Sequence, residues 1–497
     1  MVIGQPETPY GGFRLIVFFA GECLSLGAVF QRDVLFLQSA NRTDFDDRIQ
    51  YMASKLQNYN LIDGGIVRSL LLFTLPMMLG ALLQQAYNLT DTWLVGRFIG
   101  ADALAAVGSS YTLMVFLISI LWGLAMGSGT VVSLHYGAGN WRALRRSVFM
   151  SFSVIGAVSL CLMLVMFFSL DGVLHFLRVP SAVYGLMHSY LWIVFWGIPL
   201  VCLYNFYAAM LRAVGDSLTP LYFLALSVGL NVLLDLVFIW MFCWGIEGAA
   251  WATVVAQGLS AFGLAGYAYV ARPELRWRRE DGCWDEACLK DILSFSSLTC
   301  LQQSVMNFGI LLVQGLVNSF GAVVMAAFAV AVKIDAFAYM PVQEFGNAFS
   351  TFVAQNYGAG QTERIQRGVR VAFGMAMVFS CLVSIMVFVF ANELMQVFVL
   401  PEEGDILQEG IRYLRIEGSF YAGIGLLFLL YGYYRAIRMP GMSVVLTLLS
   451  LGTRVLLSYI LSSMPQIGVE GIWWSIPIGW FLADAVGIGY YLRVRSR

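Results

Sequence analysis

Among the ionisable side chains inside long apolar stretches of this sequence, seven stand out: Asp91, Asp235, Lys333, Asp335, Glu344, Arg454 and Asp484. A charge in hydrocarbon is costly, so each must face a partner, a cavity or a ligand. Asp91 closes a row with Gln84 and Asn88 at i, i+4 and i+7, one face of a helix. Further on, Asn231 and Asp235 form an i, i+4 pair, and Thr253 and Gln257 repeat that spacing in the next stretch. Counted from the outer helix ends, Asp91, Asp235 and Thr253 lie about 5–8 residues in, roughly 7–12 Å deep at 1.5 Å per residue. Two carboxylates with an amide and a hydroxyl oxygen at one depth suit a hard monovalent cation, and two desolvated carboxylates side by side are equally able to hold a proton. The bland alternative is that these residues tie helices together by hydrogen bonds.

The second half of the chain offers a different set. Gln302, Gln303, Met306 and Asn307 line one helix, and Lys333 and Asp335 stand two apart in the next, readable as an ion pair or as gating and substrate groups. Glu344 lies near mid-helix beside Pro341 and Gln343, placed to attract a cation. Together these residues are the candidate substrate cavity. The three histidines form no cluster in the sequence and read as structural. Eight scattered cysteines give neither a disulfide framework nor a structural metal site, so the only metal expected is a sodium ion, and no cofactor.

The elements that must position these groups follow from composition. With 59% hydrophobic and 12% charged residues, a water-soluble fold is excluded. Apolar segments run over 68–95, 104–134, 147–170, 184–211, 218–242 and 246–270, then over 292–318, 321–355, 368–391, 410–434, 441–463 and 470–492. Each is long enough to cross a bilayer as helix, with candidate bends at Pro76, Pro199, Pro341 and Pro477. Basic residues cluster in every second loop, from Arg142, Arg145 and Arg146 to Arg493, Arg495 and Arg497. The positive-inside rule therefore puts both termini in the cytoplasm. A multi-pass protein of a bacterial inner membrane is expected.

The halves repeat. Tyr136-Gly-Ala-Gly139 recurs as Tyr357-Gly-Ala-Gly360, and Gly245-Ile-Glu-Gly248 recurs as Gly468-Val-Glu-Gly471. Six is an even number of spans, so the two copies enter the membrane in the same sense, a parallel repeat. The expected fold is an all-α membrane protein of about twelve transmembrane helices in two six-helix lobes, 52–270 and 292–497. A solvated linker over 271–291 joins them. Residues 1–51 are expected to be a disordered or mistranslated leader, with Met52 as the start. The repeat also serves as a control: Arg454 falls opposite Asn231 and Ser458 opposite Asp235, so the second lobe is expected to have lost the acidic site.

Leu75-Pro76, Asp91-Thr-Trp-Leu-Val-Gly96, Ala103-Leu-Ala-Ala-Val-Gly108, the twin Tyr-Gly-Ala-Gly segments, Arg212-Ala-Val-Gly-Asp216, Asn231-Val-Leu-Leu-Asp235 and Gly245-Ile-Glu-Gly248 occur in this order. In these the chain, over about residues 60–495, resembles the multidrug and toxic compound extrusion (MATE) family. The resemblance implies two six-helix bundles arranged as a V, alternating access, and export of amphipathic cations against sodium ions or protons. It implies that the cation site of prokaryotic members maps onto Asp91, Asn231, Asp235 and Thr253, and that Pro76 matches a hinge in the first helix. Some members use carboxylates in the seventh and tenth spans instead; Gln302, Gln303 and Asn307 in the seventh argue against that here.

The expected function is a secondary antiporter, not an enzyme. Its expected partners are small amphipathic cations and membrane lipid, with no nucleic acid, and it is expected to be a monomer. One rival is a lipid-linked oligosaccharide flippase of the same superfamily. A flippase wants a strongly cationic cavity, and only Lys333 and Arg454 are candidates for one. A membrane-embedded enzyme is the other rival, and no catalytic motif in the helices supports it.

Overall fold

Long apolar runs broken by glycine turns fold into helices, and in the computed structural model they do so throughout the described residues. These are 61–495 apart from 177–178, 278–280 and 282–284, so the expected leader over 1–51 and the Met52 start lie outside them. The first lobe comprises α1 (Ile66–Phe98), α2 (Ala101–Gly137), α3 (Trp141–Phe176), α4 (Ser181–Trp196), α5 (Ile198–Ala213), α6 (Leu218–Asp235) and α7 (Gly245–Ala271). The second comprises α8 (Glu286–Asn318), α9 (Ala322–Gly358), α10 (Thr362–Val389), α11 (Ala391–Gln396), α12 (Gly404–Gly418), α13 (Tyr421–Ala436), α14 (Pro440–Ser462) and α15 (Glu470–Arg495). Among the described residues there is no strand.

Among the described residues ten helices are long and apolar enough to cross a membrane, and counting each of two bent pairs as one span brings the number to twelve. The bends are 45° between α4 and α5 and 50° between α12 and α13, the fourth span of each lobe. Pro199 is not the cause, because it sits in the first turn of α5, where a missing N–H leaves no bond unmade, and the equivalent break before Tyr421 has no proline. Pro76, Pro341 and Pro477 do lie inside α1, α9 and α15. Helix lengths keep the repeat: α1 and α8 have 33 residues each, α2 and α9 have 37.

Three apolar cores hold the molecule. One lies within the first lobe and one within the second. The third joins the lobes, combining Leu70, Phe73 and Met77 of α1 and Leu134 of α2 with Phe295 of α8 and Phe345, Phe349 and Phe352 of α9. This seam sits at the end carrying the basic loops, and the twin glycine motifs meet in it. A Cβ at Gly137 would lie 1.9 Å from the Gln355 carbonyl oxygen, and one at Gly358 would lie 2.1 Å from that of Leu134. Only glycine permits this reciprocal backbone approach. Ser128 and Ser296 bond across the same seam at 2.8 Å, and Gln355 Nε2 donates to the Ala213 carbonyl at 2.8 Å. The basic end is thus closed.

The linker departs from the expected solvated connector. Arg272, Leu275 and Asp281 are buried, Arg272 pairing with Asp216 at 2.7 Å and Arg145 with Asp281 at 2.9 Å, while Trp277 packs on Phe149 and Phe152. Arg272, Arg276 and Asp281 thus find fixed partners on the first lobe, which composition alone does not reveal. The second lobe also starts six residues earlier than the expected 292, at Glu286, where Asp285 caps α8 by accepting from Ala287 N and Cys288 N. Those bonds, first that from Cys288, together with the guanidinium of Arg146, hold the Asp285 carboxyl below the usual carboxylate range.

Candidate functional site

Asp91 enters the first lobe from α1 and Asp235 from the last residue of α6, and their carboxyl groups face each other. Asp235 is followed by a six-residue π-helical segment, Leu236–Met241, a wider winding often found where a helix carries a functional group. Asn231, Asp235 and Thr253 are buried. In the orientation that satisfies both ends of its carboxamide, Asn231 donates to Asp235 Oδ2 at 3.0 Å and accepts from Thr253 N at 3.2 Å. Thr253 Oγ1 donates to the Ala249 carbonyl at 3.1 Å, leaving its lone pairs directed at the site. One oxygen of each carboxylate, Asp91 Oδ1 and Asp235 Oδ1, is enclosed without a hydrogen-bond partner. A buried carboxylate oxygen with no donor is a ligand position for a cation or a proton.

Two further residues complete this site. Tyr87 lies one turn before Asp91 and against Thr253, and Tyr190 of α4 faces both acids. The i−4 spacing to Asp91 is a signal for Tyr87; Tyr190 has none in the sequence, since only packing brings α4 there. The supporting polar face behaves differently from the expectation. Gln84 Nε2 donates to Asn88 Oδ1 at 3.3 Å, and Asn88 reaches Gln85 and, at 3.5 Å, Tyr111 of α2, so this ladder points to α2 and not to the acids. Gln257 lies beside the Gly197 break between α4 and α5.

The second lobe corrects two readings. Lys333 is exposed and Asp335 buried, so the two do not pair: residues two apart on a helix point in opposite directions. Nor has this lobe lost its acids. Asp335 of α9 faces Glu417 of α12, with Tyr413, Tyr421 and Arg454 around them. Glu417 lies inside the apolar segment 410–434, but α12 also carries Asp405, Glu409, Arg412 and Arg415, so it does not stand out as an isolated charge. The α12–α13 bend turns one face of it inward, leaving Glu417 only 3% exposed.

Of the other expected cavity residues, Gln302 and Gln303 are buried in α8, Met306 packs against the second core, and Asn307 Nδ2 donates to the Gln303 carbonyl at 3.1 Å. Glu344 accepts from Asn347 at 3.1 Å and lies in the field of Arg212 and Arg435, so it is no free lure for cations. Asp484 is buried in α15 with both oxygens unpartnered. His175 and His188, far apart in a reading for clusters, flank Tyr184 at ring distances of 5.8 and 6.4 Å. Among the described residues no group of three His, Cys, Asp or Glu side chains could hold a metal ion.

The family model MatE matches the chain twice, over residues 76–237 and 299–460. The chain belongs to the MATE family. The second match starts 223 residues after the first, 299 against 76, the register of the internal repeat. The chain is 30% identical to the probable multidrug resistance protein YpnP of Bacillus subtilis, covering 88% of this chain and 97% of that one. It is 26% identical to the FAD transporter of Shewanella oneidensis, over 88% and 96%. In structure it is similar to the outward-facing conformation of a multidrug resistance MATE family transporter, with a TM-score of 0.84, 23% identity, and coverage of 88% of this chain and 98% of that one. Like the rest of its family, this MATE protein is a transporter and not an enzyme.

Proposed function

We propose that this MATE protein is a secondary antiporter of a bacterial inner membrane, with both termini cytoplasmic, which exports amphipathic organic cations in exchange for a sodium ion or a proton. The observation that carries the reading is the pair of facing carboxylates, Asp91 and Asp235, each with a buried unpartnered oxygen, beside Asn231 and Thr253. Two such carboxylates require a positive charge between them, and a transported ion supplies it. The basic loops orient the sealed seam toward the cytoplasm, so the coupling ion enters this state from outside. Its binding draws α1 toward α6, and Pro76, which leaves one backbone carbonyl of α1 unbonded, is the hinge for that movement. Reversal of the seam then delivers the ion inward and takes up substrate.

Efflux from proteoliposomes, with sodium and pH gradients imposed separately, tests this. The panel includes a cationic dye, a lipid-linked oligosaccharide and a flavin nucleotide, the last because one relative is named a FAD transporter. Dye efflux that stops in Asp235→Asn under both gradients supports the reading. Parent-like efflux in that variant overturns it, and translocation of the oligosaccharide without any ion gradient favours the flippase.

A further inference from the structure

The second lobe holds its own pair of facing acids, built from different helices. Asp335, Glu417 and Tyr421 are buried, with side chains 6%, 3% and 1% exposed, and they lie against one another, with Tyr413 beside Glu417. Arg454 of α14 faces them with its Nε enclosed and unpartnered, close enough to act on both acids. In the repeat, Arg454 occupies the position that Asn231 holds in the first lobe, 223 residues earlier. Where the first lobe places a neutral amide beside its two carboxylates, the second places a guanidinium.

We infer that Arg454 is the fixed positive charge that keeps a mobile monovalent cation out of the Asp335–Glu417 pair, confining the coupling ion to the first lobe. This rests on the first-lobe reading above only in what it says of coupling; the second-lobe site stands on its own residues. Two buried carboxylates with no positive charge nearby must recruit one from solution. Arg454 offsets one of the two charges permanently, because a guanidinium does not lose its proton in a protein. A single shared proton then suffices for the other, and no free ion is needed. Removing the arginine should uncover a cryptic site for sodium or for a free guanidinium ion.

The test is the melting temperature of the purified full chain in sodium, choline and methylguanidinium chloride at matched ionic strength, from pH 6.5 to 9. All variants carry Asp235→Asn, so any sodium effect of the first lobe is absent whether or not that lobe is the coupling site. The expected result is that Arg454→Gln gains a rise in Tm of about 3 °C or more in sodium or methylguanidinium over choline. The Asp235→Asn parent, with Arg454 in place, shows none, and Arg454→Gln with Glu417→Gln loses the gain because one charge has been removed from the pair. If Arg454→Gln melts alike in the three salts, or is recovered in none of them while the charge-balanced double variant folds, the inference is overturned. A gain that survives Glu417→Gln overturns it as well, since the ion would then sit elsewhere.

Discussion

Gly137→Ala tests how the basic end is held shut. The added Cβ would lie 1.9 Å from the Gln355 carbonyl oxygen against a floor of 3.0 Å for real contacts, a shortfall of about 1.1 Å. The obstacle is backbone, which has no rotamer to escape into, so α2 and α9 must separate by about that distance in the closed state. Overpacking of this kind costs about 1–3 kcal/mol. That penalty falls only on the conformation in which the twin motifs touch, so the closed population should drop about 5- to 150-fold relative to the open one. Spin labels at the repeat-equivalent exposed positions Arg142 and Glu363, in a cysteine-free background, read the separation directly. The parent should give one short distance, and Gly137→Ala should add a longer one; Gly358→Ala, at 2.1 Å from the Leu134 carbonyl, should do the same. Gly156→Ala in α3, where a Cβ meets nothing within 4 Å, is the control. A single unchanged distance in Gly137→Ala, with parent-like melting, would refute the argument that glycine contact seals this end.

At the first-lobe acids, Asp91→Asn and Asp235→Asn should each lower gradient-driven efflux by more than about tenfold, the equivalent of 1.4 kcal/mol, with Asn231→Ala losing less because water can replace an amide ligand. Ser458→Ala, at the repeat position of Asp235, should transport like the parent, since its partner Ser475 still donates to the Ile472 carbonyl. Arg272→Ala leaves Asp216 buried without its 2.7 Å partner and should cost about 3–5 kcal/mol; a Tm within 1 °C of the parent, on the order of measurement error, would count against that burial argument. The cap on α8 should depend on pH. Because the Asp285 carboxyl is held below its ordinary value, its contribution is present above about pH 4 and lost as pH falls through the lowered value. Amide exchange at Ala287 and Cys288 should quicken there relative to the intrinsic rate, and Asp285→Ala, which removes the accepting oxygen, should show the faster exchange already at neutral pH.

Twelve spans, two lobes, the parallel repeat and the four first-lobe polar residues that the fold brings together were legible in the sequence. Their determinants are local: an apolar run long enough for a bilayer, a polar pair at i, i+4, a motif returning 221 or 223 residues later. The tertiary structure alone decided which polar groups meet. Asn88 and Asp91 share one face of α1, yet the packing of neighbouring helices sends one to Tyr111 and the other to Asp235. Glu417 does not stand out from Arg412 and Arg415 at the start of the 410–434 segment until packing buries its side of α12. Tyr190, the docked linker and the glycine contact of the twin motifs are likewise invisible along the chain. Burial of a polar group depends on what surrounds it in space, and hydropathy records only what lies beside it in sequence.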